Sequence, residues 1–367
     1  MSLPDASWLE SFLPVELTGL LERYADRLES EQDWPGLQFQ ALQEAGLLGW
    51  VIPPRWGGTP FLQPELIASY VRLAQSCLTT AFVLTQRNAA CQRLADSSND
   101  ALKDRWLPGL ARGEFFATVG ISHLSTSRQH LRQPAVTVDC QHGGYLLNGE
   151  VPWVTGAQRA QLVVTGGVTA DGQQLLLAVP TSAPGVRCGP SARLLALGAS
   201  QTSSMTLHDV AVDAGCLVAG PAPAVMKTGT TGGAGSLGTS ALALGLARST
   251  LAHLAREALC RPELGPIHAP LEAEAALLFT DLMRAAGGGP AQGGAAEPSL
   301  SFEALRSRAN SLVLRSAQAL LSASKGAGFI AGHFAHRAVR EAHFFLVWSC
   351  PQPVVAAYLR ELAGCQP

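Results

Sequence analysis

The sequence predicts an α+β protein built in three consecutive parts: helices, a β-rich region, then helices again. Three observations carry this. Apolar residues recur at helical spacing from 15 to about 114. Short β-type runs divided by turn dipeptides fill about 116–219. Long helical periodicities return from about 232 to the end. At 367 residues the chain is long enough for two or three domains. The pattern changes divide it into 1–115, 116–220 and 221–367.

In the first part Leu17, Leu20, Leu21, Tyr24 and Leu28 form one helical stripe, and 36–46, 63–79, 82–96 and 100–112 read as further helices. In the second, the runs Ala135–Asp139, Tyr145–Gly149, Gln161–Thr165, Gln174–Val179 and Ser204–His208 read as strands. Gly143-Gly144 and Asp171-Gly172 are hairpin-type dipeptides between such runs. In the third, helices are expected at 237–260, 270–285, 301–324, 333–348 and 352–363. The glycine-rich stretch 285–298 reads as a connection between two of them.

Composition excludes several function classes. Hydrophobic residues make up 47% and charged residues 15% of the chain, a balance opposite to that of disordered proteins. A net charge of -2 lacks the basic stripe that nucleic-acid binding needs. The one long uncharged stretch, 228–247, is rich in small residues and has too little bulk for a membrane span. The first ten residues hold two acids and no basic cluster, so they do not read as a secretory signal. The eight cysteines are scattered without a CxxC pair, which argues against zinc and redox motifs. A cytoplasmic protein with reduced thiols is the expectation.

Local motifs then resemble those of one family in order along the chain. Ala45–Gly58 (AGLLGWVIPPRWGG) resembles the "GL.g..vPeeyGG" segment of the acyl-CoA dehydrogenase superfamily. Lys103–Glu114 is similar to its "qK..yLp.la.Ge", and Gly144–Ala157 to "y.lnG.K.witna". Leu197–Ser200 with Leu207–Val212, Arg261–Gly265 and Lys325–Phe329 resemble three later motifs. The resemblance implies an N-terminal helical domain, a central β-barrel-like or sandwich domain, and a C-terminal four-helix bundle. It also implies a non-covalent FAD between the β domain and the C-terminal helices.

Residue by residue, the resemblance implies flavin contacts at Trp153 and Thr155, the family's Trp-x-Thr/Ser pair. A flat ring shields a flavin face, and a hydroxyl addresses a ring nitrogen. Arg261 matches the arginine that reaches FAD in a neighbouring subunit, which suits a guanidinium. A strand-core Trp and a solvated Arg at a helix end are the plain alternatives. Ser122 fits the first position of the flavin-edge loop, but His123 replaces an acid in Ser122–Arg128 and the loop's glycines are gone. The CoA contact of that loop is therefore not expected to carry over.

The largest departure is the base. Aligning the family's Arg-Asp on Arg340-Glu341 places Ser349 where the catalytic glutamate stands, with Cys350 and Pro351 after it. The family's alternative base site falls on Gly235-Ser236, again without a carboxylate. A serine hydroxyl without an activating partner is no base at neutral pH. His343 is a candidate acid/base; His333, His336 and His123 are others, and Cys350 is a candidate thiol. No metal site is expected.

Three functions stay open on the sequence. One is an oxygen-using flavoprotein, a monooxygenase or oxidase, acting on a small apolar or acyl substrate. Another is an acyl-CoA dehydrogenase with a non-standard base. The third is a non-catalytic relative that binds FAD or an acyl ligand. A flavin reductase or electron-transfer partner and a homodimer or homotetramer are implied by the resemblance. Abundant apolar residues around helices 237–260 and 301–324 agree with self-association.

Overall fold

A computed structural model describes residues 13–125, 133–228, 237–287 and 300–364. The N-terminal helices are α1 (Val15–Glu31), α2 (Gly36–Glu44), α3 (Gln63–Ser76), α4 (Leu78–Asp96) and α5 (Asp100–Arg112). On α1 the buried residues Leu17, Leu21, Ala25 and Leu28 form the stripe expected of a helix with one face on a core. Asn99 caps α5, its Oδ1 accepting from the Leu102 N–H at 3.1 Å, and Gly113 ends the helix at φ 74°. The wholly buried Arg87 on α4 donates to the Leu48 carbonyl at 2.9 Å and to the Leu110 carbonyl, tying two chain reversals to one helix.

The β region is one continuous mixed sheet. Its strands are β1 (Ala117–Gly120), β2 (Val136–Gln141), β3 (Gly144–Val154), β4 (Leu162–Val168), β5 (Gln174–Pro180), β6 (Val186–Cys188), β7 (Ser203–Asp213) and β8 (Leu217–Ala222). They run in the order β6-β7-β3-β2-β4-β5-β8, with β1 parallel to β4. Val163, Leu175, Leu177 and Val179 of β4 and β5 share a core cluster with Met205, Leu207 and Val210 of β7. Those strands are far apart in the sheet order, so the sheet curls around its own core and is barrel-like rather than two separate sheets. The opposite faces of β4 and β5, with Leu162, Val164, Leu176 and Ala178, pack into the helical core. The β2–β3 turn is His142-Gly143, one residue earlier than the sequence suggests, because Gly144 already pairs with Gln141.

The C-terminal helices are α6 (Leu237–Cys260), α7 (Gly265–Ala286), α8 (Phe302–Ser324), α9 (Phe334–Val347) and α10 (Gln352–Leu362). Helix α6 packs on α7, α8, α9 and α3, so both helical parts of the sequence share one core. Gly245 permits this closeness: a Cβ there would lie 2.4 Å from the Val71 carbonyl oxygen of α3. Among the described residues no helix is long and apolar enough to cross a membrane.

Candidate functional site

Where the β sheet meets the C-terminal end of α9 and the side of α4, a cavity of about 550 Å³ opens. The sheet contributes Trp153. On β3, Val151 pairs with Met205 and Val154 with Ser203, so β3 carries one extra residue across this interval. Such a bulge re-aims a side chain, and here Trp153 turns out of the sheet core with 42% of its surface exposed. Its neighbours Val151 and Val154 stay fully buried.

Thr155 is buried behind this ring, and its hydroxyl lies 3.2 Å from that of Thr202, which lines the cavity. Thr202 in turn lies 2.9 Å from the Ser200 hydroxyl. The three hydroxyls form a chain whose middle member, Thr202, reaches the cavity wall. Ser122, in the 3-10 turn Ser122–Leu124, also lines the cavity. His123 does not: it is buried and donates through Nε2 to the Gly166 carbonyl at 2.9 Å, fixing the turn to β4. The rest of the flavin-edge loop, 126–132, and Gly235-Ser236 lie outside the described residues.

Helix α9 brings His343, Phe344, Leu346 and Val347 to the cavity, followed by Trp348 and Ser349. Its last carbonyls would be orphaned at a buried helix end. Arg306 of α8 prevents that, donating through Nη2 to the carbonyls of Phe345 at 3.0 Å and Trp348 at 2.9 Å. Asn310 adds a bond to the Phe345 carbonyl at 3.0 Å and holds Arg306 Nε at 2.9 Å. Burial holds the Arg306 guanidinium down to about 10, although no carboxylate is paired with it among the described residues. Ser349 follows this clamp at φ 43°, in the left-handed region.

His343 Nδ1 lies 2.6 Å from the Val339 carbonyl. A carbonyl only accepts, so Nδ1 carries the proton, and Nε2 on the opposite edge is the acceptor of the neutral ring. Arg340 is pinned, its Nη1 bound to Glu29 and to the Leu195 carbonyl at 2.8 Å. Among the described residues no carboxylate lines the cavity.

The sequence-derived residues Ser122, Trp153, Ser349 and His343 thus meet in one cavity, with Thr155 one hydroxyl behind. Arg261 lies elsewhere, paired with Glu257 and donating to the Ala323 carbonyl at 2.6 Å. His333 caps α9, accepting from the Ala335 N–H at 3.1 Å, and neither it nor His336 lines the cavity. Cys350 is buried, and burial pushes its thiol up, the opposite of a reactive cysteine. Phe82, Leu194–Ala196 and Thr202 are lining residues that motif reading does not reach, whereas Arg340 is the arginine of the aligned Arg340-Glu341 pair. Thr202 and Leu194–Ala196 flank the Leu197–Ser200 motif, a nearby signal; Phe82 has none.

Residues 17–114 match the family described as acyl-CoA dehydrogenase, N-terminal domain. The chain is 24% identical to an acryloyl-CoA reductase (NADH) of Anaerotignum propionicum over 203 residues, 54% of this chain and 52% of the relative. It is 24% identical to the probable acyl-CoA dehydrogenase YngJ of Bacillus subtilis over 235 residues, 62% and 61% of the two. The matched regions therefore span about half to two thirds of these relatives. A glutaryl-coenzyme A dehydrogenase in complex with glutaryl-CoA superimposes with a TM-score of 0.84 at 18% identity, covering 100% of this chain and 98% of the other. A Mycobacterium smegmatis glutaryl-CoA dehydrogenase in complex with FADH2 gives 0.79 at 17%, covering 99% of each. KijD3, in complex with FMN and a dTDP-amino-keto sugar, gives 0.72 at 18%, covering 98% and 94%. At these identities the solved structures establish the fold.

Proposed function

The chain belongs to the acyl-CoA dehydrogenase superfamily, and from that premise we propose a flavin-dependent oxidoreductase that works without the family's glutamate. Its flavin chemistry uses dioxygen, as an oxidase or monooxygenase, on a small apolar or acyl substrate. The observation that carries this is Ser349 in the cavity wall, with no carboxylate lining it among the described residues. Without an acceptor for the α-proton of a thioester, α,β-dehydrogenation loses its first step.

The residues fit a flavin. The half-exposed Trp153 ring, the Ser122 and Thr202 hydroxyls, and a cavity of about 550 Å³ suit a flat heterocycle with polar edges. FAD is the flavin proposed, as in the FADH2 complex of the same fold. Bound flavin supplies the redox step and, when reduced, reacts with dioxygen. The protein's own part is to shield one face with Trp153, to orient the ring edge through the Thr202–Thr155 hydroxyls, and to exclude water with the apolar wall of α9. KijD3 supports the reading, because its structure holds a flavin with a nucleotide sugar on this fold.

A specific observation favours a second reading. His343 lines the cavity with its Nε2 left as an acceptor, so a dehydrogenase with an imidazole base is the alternative. Arg261, bonded within its own chain here, would meet a flavin only in a neighbouring copy, within a homodimer or homotetramer. The exposed Leu259, Phe329 and Ile330 offer apolar surface for such a contact. A flavin reductase or an electron-transferring flavoprotein, working with it in the cytoplasm, would supply or remove electrons.

The test is spectroscopic. The purified protein should take up FAD and turn yellow, and Thr155→Val and Arg261→Ala should each lower occupancy. Photoreduced flavin should reoxidise rapidly with oxygen, while saturated acyl-CoAs should bleach it very slowly under anaerobic conditions. Fast anaerobic bleaching by a simple acyl-CoA would overturn the first reading in favour of the second. A protein that stays colourless with excess FAD would overturn both.

A further inference from the structure

Beyond the flavin edge, the helical wall of the cavity has a composition of its own. Phe82 of α4 stands edge-on to Phe344 at 4.9 Å and 72°, and to Trp348 at 4.8 Å and 87°. Phe344 and Trp348 lie nearly parallel, 5.3 Å apart at 21°. All three line the cavity together with the sheet residues Trp153 and Thr202, Phe82 nearly buried behind the other two rings. Beside them the His343 Nδ1 proton is committed to the Val339 carbonyl, and its Nε2 has no hydrogen bond among the described residues. The cationic lining residue, Arg340, is already engaged by Glu29 and the Leu195 carbonyl.

We propose that this wall is the substrate subsite of the flavin site and takes an uncharged aromatic molecule bearing an O–H or N–H group, which donates to His343 Nε2. The proposal rests on the flavin reading above. A planar guest meets the rings of Phe344 and Trp348, held in place by the buried Phe82, each aromatic pair worth about 0.5–1.5 kcal/mol beyond area burial. An acceptor without a donor in a largely apolar wall selects a guest that carries the donor, since a guest that covers the ring without one leaves Nε2 desolvated and unpaired. A carboxylate guest gains little, because Arg340 is charge-balanced and the remaining wall is apolar.

The probes are 2-naphthol, 2-methoxynaphthalene, trans-2-decalol and 2-naphthoate, titrated at pH 8 into the FAD-loaded protein. Binding is read from the flavin difference spectrum and from equilibrium dialysis. 2-Naphthol should bind roughly 10-fold more tightly than its methyl ether, as one buried hydrogen bond provides. His343→Phe keeps a flat ring and removes the acceptor, so it should reduce that ratio to about one. Trp348→Leu should weaken both naphthalene ligands by roughly 3- to 10-fold and leave the ratio intact. Decalol binding as tightly as naphthol, or naphthoate binding more tightly, overturns the proposal. So does a naphthol-to-ether ratio that survives His343→Phe. A colourless protein refutes the flavin reading, and dialysis of the same probes against it still scores the subsite, so the two failures read separately.

Discussion

Glu341 is a carboxyl at the wrong depth, only 4% exposed on the face of α9 turned toward α1. Burial pushes it from 4.5 up to about 7, against the pull of Arg337, whose Nε lies 3.7 Å from Oε1. Arg340, Asp26 and Glu29 complete its charged surroundings, with Arg337 bound to Asp26 and Arg340 to Glu29. A carboxyl whose folded pKa lies above its unfolded one binds its proton more tightly when folded. Its stabilisation is fully present below about 4.5 and is lost as pH rises through about 7. At about 1.4 kcal/mol per unit, the loss is on the order of 3 kcal/mol. Glu341→Gln keeps the shape and removes the titration. In urea unfolding, the variant should match the wild type near pH 4.5 and exceed it by on the order of 3 kcal/mol at pH 8. A difference that stays flat between these pH values would mean that Glu341 is ionised throughout and that Arg337 outweighs burial.

Arg306→Met removes the donor to two α9 carbonyls and to Asn310 at once. Relief of the desolvated charge offsets part of that, leaving a net cost of about 2 kcal/mol in urea unfolding; a change under about 0.5 would show that water replaces the clamp. Gly245→Ala puts a Cβ 2.4 Å from the Val71 carbonyl oxygen and should destabilise by about 1–3 kcal/mol through forced separation of α3 and α6. An unchanged thermal midpoint would refute that closeness. Asn99→Ala removes the α5 cap and should cost about 1 kcal/mol, measured the same way, with no effect expected on flavin binding.

Helix α6 was legible to the residue, Leu237–Cys260, because its apolar pattern starts and stops sharply. Helix α7 was not: it begins at Gly265, whereas the sequence suggests 270, where Pro270 reads as a start. Pro270 sits inside the helix on an exposed face, where water can satisfy the carbonyl it leaves unpaired. Strands β1 and β6 are too short for alternation to stand out. The cavity shows the same division. Trp153, Ser122, Ser349 and His343 were reachable from ordered motifs, since each sits at a fixed offset from a matched segment. Phe82 and Leu194–Ala196 were not, because they come from α4 and from the stretch before β7. Only the packing of those elements against α9 brings them to the site.

The clamp on α9 explains how position and chemistry separate at residue 349. Arg306 and Asn310 hold the chain through backbone carbonyls at 345 and 348, and none of these three bonds involves the side chain at 349. The turn therefore reaches the cavity whatever residue occupies that place. With a carboxylate there, the same backbone would present a base; with Ser349 it presents a small neutral hydroxyl beside an apolar aromatic wall. The neighbouring imidazole has its own constraint, since the Val339 carbonyl fixes Nδ1 as the donor and leaves Nε2 as the acceptor. The acceptor that the described cavity wall offers is thus a helix-fixed ring about one turn and a half before Ser349. On the proposed reading, that arrangement on an intact fold is what would set this chain apart from a thioester dehydrogenase with a carboxylate base.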